Sequence, residues 1–316
     1  MLEFSCSVAQ AFLGGRIKRG AKMREYLPNQ IRKPLGRMKR KMNKYVPDLL
    51  RHPLRRAKRR ILLELDRPTG FNKTDLIHLI SRRLKLRNYL ELCTPTAGRR
   101  YGEIDRARFR TARRLMYIAD DFDDGLPIDY KIADFAIEEA VADLNVNADK
   151  VDICLVDAFH TYDCTTRDLA CAYELLADGG VLVVHDCSPP NEAWASPTFA
   201  SLDWSGESYR SYLDFVFTRD DLDYYTVDVD YGCGIIFKNR AVDMAGPVNP
   251  NLIAEWFDVH NDSQLALRFF FKNRAALLRL ISGKNFVRRF SSSIVHSIKG
   301  VSGQVIERRQ SENKMH

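Results

Sequence analysis

Four side chains near the middle of this chain have the types and spacing to do chemistry at one place. They are Asp157 and His160 in DAFHTYD, and His185 and Asp186 in VVHDC. Asp157 and Asp186 each follow a short apolar run rich in β-branched residues, Val151 to Val156 and Val181 to Val184, which predicts strands buried on both faces of a parallel sheet. Open parallel sheets bind ligands in the crevice outside the carboxyl ends of their strands, so the two carboxylates share an address. Paired carboxylates suit a hard cation with oxygen ligands, which would be Mg2+ with several retained waters. An imidazole three residues past one carboxylate is placed to take up a proton. The plainer reading has Asp157 contacting a bound small molecule and both histidines making turn hydrogen bonds.

The elements that must position these residues can be read on either side. TYDCTTRDLACAYELLADGG is a crossover helix closed by a Gly-Gly turn. Upstream, Asn88 to Gly98 (NYLELCTPTAG) is an apolar strand leading into a turn of small residues, with Glu91 near the strand end and Gly98 opening the next helix. Before it, NKTDLIHLISRRL has apolar residues at helical spacing with Asn72 or Thr74 as N-cap, and His78 falls among them as a half-buried packing residue. RRYGEIDRARFR predicts a helix, TARRLMYI a second strand, and Ile128 to Ala133 a third that ends at Asp134. AIEEAVADLN predicts the helix before the first catalytic candidate strand. A polar loop with Trp194 and Trp204 runs from Cys187 to Gly206, SYRSYLDFVFTRDD predicts a helix, and DYYTVDVD with YGCGIIFKN predicts a β-hairpin.

This order of elements, with ELCTPTAG, DAFHTYD, ADGG and VVHD at its turns, resembles the class I S-adenosylmethionine-dependent methyltransferases. Within them it is similar to the branch whose fourth strand ends in D-x-x-H and whose fifth ends in H-D, over roughly residues 86 to 240. The resemblance implies an α/β fold, a doubly wound, seven-stranded, mostly parallel Rossmann-like sheet in the order 3-2-1-4-5-7-6. It implies that S-adenosylmethionine lies over the strand ends, with Glu91, Thr94 and Gly98 at the first turn. Asp120 or Asp121 would bind the ribose, Asp134 would face the adenine, and Asp157 would also reach the cofactor. A helix N-cap explains Asp134 equally well. Cys93 and Pro95 stand where the family has glycines. Their Cβ atoms would crowd the cofactor, and the proline removes a donor. The implied reaction is methyl transfer to an oxygen, with His160 as base beside Asp157, and with Asp157 and Asp186 holding Mg2+. The acceptor read from the branch is a sugar hydroxyl, as on a glycan, or a small hydroxylated metabolite. Two other functions stay open: a fold that has lost catalysis and serves as a scaffold, which Cys93 and Pro95 favour, and an RNA methyltransferase.

Charge divides the chain. Residues 1 to 60 hold 18 Lys or Arg against Glu3, Glu25 and Asp48, so they carry +15 of a chain whose total is +8, and the other 256 residues carry −7. The expected organisation is a basic arm over 1–71, broken by Pro28, Pro34, Pro47 and Pro53, then a methyltransferase domain over 72–240, a helical extension over 241–290 and a polar tail over 291–316. The arm reads as a solvated extension, or as a segment drawn to an anionic membrane surface, where each Lys or Arg contributes about 1 kcal/mol. Nucleic acid is disfavoured as its partner, because only Tyr26 and Tyr45 interleave the charges and stacking platforms are missing. LIAEWFDVH and LALRFFFKNRAALLRLI predict amphipathic helices that pack on the body, on a second copy of the chain, or on a membrane surface. Seven cysteines without a CxxC pair point to a reducing compartment. No apolar run reaches membrane-spanning length, and the first residues lack the basic start of a signal peptide. The expected location is cytoplasmic, with peripheral membrane attachment through the arm.

Overall fold

The computed structural model describes residues 71–95, 101–118, 125–132, 136–147, 150–199, 204–242, 244, 246–292 and 295–297. The basic arm, but for its last residue, and nearly all of the polar tail lie outside them. Helix α1 (Lys73–Leu84) opens on a capping box, in which the Asn72 side chain accepts from the N–H groups of Thr74 and Asp75 and the Asp75 carboxylate accepts from that of Asn72. Asn72, rather than Thr74, is therefore the cap. The helix closes on Lys85 in the left-handed conformation and buries Leu76, Ile77 and Ile80.

The main sheet is built from β1 (Asn88–Cys93), β2 (Thr111–Tyr117), β3 (Tyr130–Ile132), β4 (Val151–Asp157), β5 (Leu176–Val184), β6 (Leu222–Asp228), β7 (Cys233–Lys238) and β9 (Leu280–Ser282). Its order is β3-β2-β1-β4-β5-β7-β6-β9, with β7 antiparallel to both β5 and β6 and every other pairing parallel. The seven expected strands take the expected order. The strand count is corrected to eight, because Leu280–Ser282 lies parallel to β6. A three-residue strand behind a helix leaves no periodicity to read. Short strands β8 (Arg240–Val242) and β10 (Val295–Ser297) form a separate antiparallel pair.

Alternation along the strands sends side chains to two cores. Cys154, Val156, Leu182 and Val184 join the core under α2 (Ile137–Asn147), α3 (Tyr162–Leu175), α4 (Ser208–Phe217), α5 (Pro250–Val259) and α6 (Ser263–Leu277). Ile153, Leu155, Val181 and Val183 join the opposite core, under α1 and α7 (Gly283–Ser292). Asp157 and His185 continue the second set by parity, so both face the side of the sheet covered by α1.

Two local predictions change. RRYGEIDRARFR does not form the expected α-helix in its described part. It makes short 3-10 turns at 101–103 and Arg106–Arg108. Buried Tyr101, Ile104 and Phe109 pin it to the core, and the Arg110 N–H donates to the Arg87 carbonyl across to the start of β1. Strand β5 starts five residues earlier than the apolar run, because ADGG is an outward bulge within it: Val151 pairs with Leu176 and Ile153 already with Val181. The expected C-terminal helices are α5 and α6. No helix among the described residues is long and apolar enough to cross a membrane.

Candidate active site

Asp157 is the last residue of β4 and is 3% exposed. His185 and Asp186 follow β5, and Asp186 has φ +61, a left-handed conformation that is costly for a residue with a Cβ. Asp230 and Tyr231, in the turn between β6 and β7, are left-handed as well. The two turns are laced together by the N–H groups of Cys187 and Ser188, which donate to the carbonyls of Gly232 and Tyr231. Gly232 has φ +87, and a Cβ there would stand 2.3 Å from the Ser188 Cβ. Such conformations gather where the surrounding structure over-determines them, as at ligand sites.

His160 lies in the loop after β4. Its Nδ1 is 2.9 Å from the Trp204 carbonyl oxygen, and its own carbonyl accepts from the Glu207 N–H at 2.7 Å. Gly206 makes this approach feasible, since its φ is +57 and a Cβ would fall 2.1 Å from the His160 oxygen. The loop carrying Trp204 therefore sets the orientation of the imidazole.

The four side chains singled out by the sequence meet. One ligand atom from each of Asp157, His160, His185 and Asp186 lies within 4.8 Å of all the others. His160 Nε2 is 3.2 Å from Asp186 Oδ2 and 3.7 Å from Asp157 Oδ1. His185 Nδ1 is 3.2 Å from Asp157 Oδ1 and 3.3 Å from Asp186 Oδ2, and its Nε2 is 3.7 Å from Asp230 Oδ1. The other oxygen of Asp157 holds the ammonium of Lys73, the first residue of α1. His160 Nε2 and both ring nitrogens of His185 make no well-aligned hydrogen bond among the described residues, so their contacts are charge against charge.

Burial alone would raise the Asp157 carboxyl, but Lys73 and His185 outweigh it and hold the group well below the usual range. Burial likewise works against the positive charge of His160 and His185. Asp186 and Asp157 overcome it, so both imidazoles are raised, His185 strongly. The site is thus a buried set of balanced charges.

Glu91 is on the same face, one strand away, 2% exposed, and accepts from the Tyr89 hydroxyl at 2.7 Å. Burial pushes its carboxyl up to about 7. Thr94 is half-buried just past the end of β1. Gly98, Asp120 and Asp134 lie outside the described residues. Cys93, where a glycine was expected, is fully buried against Met116 and Ile118, so its side chain is taken up by packing.

Two site residues escape sequence reading, Lys73 and Asp230. Lys73 left one signal: a lysine in the first turn of a helix faces the positive end of the helix dipole, the wrong end for a cation. Asp230 left none, because Asp-Tyr-Gly reads as an ordinary turn.

Residues 83–187 match a family model described as a methyltransferase domain. This stretch of the chain is similar to a methyltransferase domain. The matched part of the domain runs from the end of α1 to just past Asp186, so Lys73 and Asp230 fall outside it. Among solved structures, the O-methyltransferase TomG from Streptomyces achromogenes, in complex with SAM, is 17% identical, with 55% of this chain and 84% of that chain covered and a TM-score of 0.40. The O-methyltransferase from Bacillus cereus in complex with SAH is 12% identical, covering 61% of this chain and 91% of its own at a TM-score of 0.38. The SAH-bound methyltransferase PaMTH1 of Podospora anserina is 14% identical, covering 67% and 97% at a TM-score of 0.39. No curated protein matches the chain.

The donor set bears on the expected Mg2+. That ion favours a near-octahedral shell of oxygens and keeps several waters. Asp157 and Asp186 are together as the expected pair, but their neighbours are two imidazoles and an ammonium. In this arrangement of side chains the set does not fit Mg2+.

Proposed function

We propose that the methyltransferase domain moves a methyl group from S-adenosylmethionine to an oxygen of a small hydroxylated acceptor, with a sugar hydroxyl as the favoured case. S-adenosylmethionine, when bound, supplies an electrophilic methyl on a sulfonium. Glu91 and Thr94 at the end of β1, with Gly98, Asp120 and Asp134, are the residues assigned to hold it, and Asp157 borders the same crevice. Glu91 at the end of β1 and Thr94 just past it offer a carboxyl and a hydroxyl, groups suited to an aminocarboxylate.

His160 carries the proton chemistry. With Nδ1–H donated to the Trp204 carbonyl, Nε2 is the basic nitrogen. As the acceptor oxygen bonds to the methyl carbon and the carbon–sulfur bond breaks, the hydroxyl proton passes to Nε2. Asp186 at 3.2 Å then stabilises the imidazolium. His160 must be neutral to accept that proton. Because its neighbours raise its pKa, the rate should climb as pH rises through that raised value. Trp194 and Tyr231, with ring centroids 5.1 Å apart, and Trp204 beside His160 give the mouth apolar rings on which a sugar can stack.

The observation that carries this reading is the convergence of Asp157, His160 and Asp186 at two strand ends of the matched domain. Calorimetric titration of the full chain with S-adenosylmethionine tests it, repeated on Asp134→Ala. Micromolar binding lost in the variant supports the assignment and licenses a screen of sugar and small-molecule acceptors. Absence of binding under any condition rejects it in favour of a scaffold. Methylation of RNA but of no small acceptor would reject the acceptor class alone. The arm, with +15 in its first 60 residues, is proposed to meet an anionic membrane surface from the cytoplasmic side, and salt-sensitive binding to phosphatidylserine vesicles is the matching assay.

A further inference from the structure

Lys73 is misplaced by every local rule. It stands at the first position of α1, where the helix dipole disfavours a cation. It is also 5% exposed, and an ammonium is costly to bury unless it is well paired. Its partner is the Oδ2 of Asp157, and the charges of Asp230 and Asp186 also act on it. Burial works against the ammonium, yet the three carboxylates prevail and keep it protonated. The opposite oxygen of Asp157 faces His185 and His160. The carboxylate is therefore bracketed, with a fixed cation on one side and the imidazoles on the other.

A divalent ion on Asp157 and Asp186 would have to displace this ammonium or lie beside it. At such close range, two like charges in a medium of intermediate dielectric repel strongly. The capping box fixes the backbone from which the lysine reaches, so its position is built into the helix start.

We propose that Lys73 is the resident cation of this site: its ammonium occupies the side of Asp157 that a divalent metal would take, positions Asp157 and through it His160, and makes methyl transfer independent of added metal. The inference rests on the methyltransferase reading for its last clause only. Lys73 is a positioning residue, since nothing places it on the acceptor or the methyl group. A second consequence follows for the vacated site. Without the lysine, two carboxylates and two imidazoles within 4.8 Å form a donor set suited to Co2+ or Zn2+.

The experiment is a Co2+ titration of the full chain, read by visible d–d absorption, on the native protein, Lys73→Ala and Lys73→Arg. The native protein and Lys73→Arg should show no specific band up to millimolar Co2+. Lys73→Ala should bind at least 100-fold more tightly and show the band of an ordered site. S-adenosylmethionine binding by the native protein should be unchanged by a chelator. Tight Co2+ or Mg2+ binding by the native protein overturns the proposal, and that arm needs no variant to fold. A folded Lys73→Ala, judged by cooperative thermal unfolding, that binds Co2+ no better than native overturns it equally. Cobalt binding requires neither S-adenosylmethionine nor acceptor, so failure of the methyltransferase reading would show separately, as absent S-adenosylmethionine binding.

Discussion

Asp157 and Asp168 are both buried, on opposite faces of the same sheet, and the two faces treat their carboxyls in opposite ways. Asp157 meets an ammonium and two imidazoles and is held well below the usual range. Asp168, on α3, is 0% exposed, has the Tyr117 hydroxyl as its hydrogen-bond partner, and is pushed by burial up to about 7. Glu91 repeats the second arrangement with Tyr89. Burial is common to all three, so it does not decide ionisation. A cation in contact does. On the charged face the opposite charges touch, while Asp168 sits in a packed helix–sheet contact where burial outweighs the more distant charge of Arg167.

The sharpest way to break this contrast is Asp157→Ala, which strands Lys73 in the interior. A loss of about 3–5 kcal/mol is expected in urea unfolding, together with loss of methyl transfer. Removal of the imidazole instead, by His160→Ala, should lower kcat by roughly 10²–10⁴-fold while leaving S-adenosylmethionine affinity within a few-fold, as stopped turnover assays and calorimetry can show. Asp186→Asn removes the nearest charge that raises His160. The acidic limb of the pH–rate profile should then move to lower pH.

Stability against pH separates the two carboxyls further. A carboxyl depressed in the folded state stabilises above its unfolded pKa of about 3.9 and loses that contribution as pH falls through its folded value, so Asp157 matters below about pH 4. A raised carboxyl acts in the other direction. Asp168 costs stability as pH climbs from about 3.9 to its folded value near 7, at about 1.4 kcal/mol per pH unit for one proton. Asp168→Asn should therefore remove one proton's worth of slope in that window, leaving those of Glu91 and the raised imidazoles, in urea titrations at pH 5 and pH 8. The smallest effect is expected for Tyr117→Phe, which deletes one hydrogen bond to Asp168 and should cost about 1 kcal/mol by the same measurement.

Much of this was legible in the sequence. Strand ends at Asp157 and Asp186 follow from β-branched runs, and the strand order follows from the resemblance those turns carry. Parity alone sends Asp157 and His185 to one face, since Ile153, Leu155, Val181 and Val183 precede them in the same core. What stayed hidden depends on contacts between distant segments. Lys73 and Asp157 are 84 positions apart, and no local pattern joins a helix start to the end of a later strand. The helix expected at RRYGEIDRARFR failed for a similar reason, because its spaced Tyr101, Ile104 and Phe109 answer to the core above β1 and not to their own backbone period. Asp230 became part of the site only through the lacing of two turns.

The eighth strand has a consequence for how copies of this chain behave toward one another. Without β9, the seven residues of β6 would present a row of unpaired amide and carbonyl groups along their outer side, a template for a foreign strand. Leu280–Ser282 covers Thr226 to Asp228, and Arg279 anchors the approach by bonding Asp223 and stacking 4.1 Å from the Tyr225 ring centroid. Three residues thus act as a guard against sheet-to-sheet growth. A chain ending at Leu278 would keep every catalytic candidate and yet be open to self-templated aggregation.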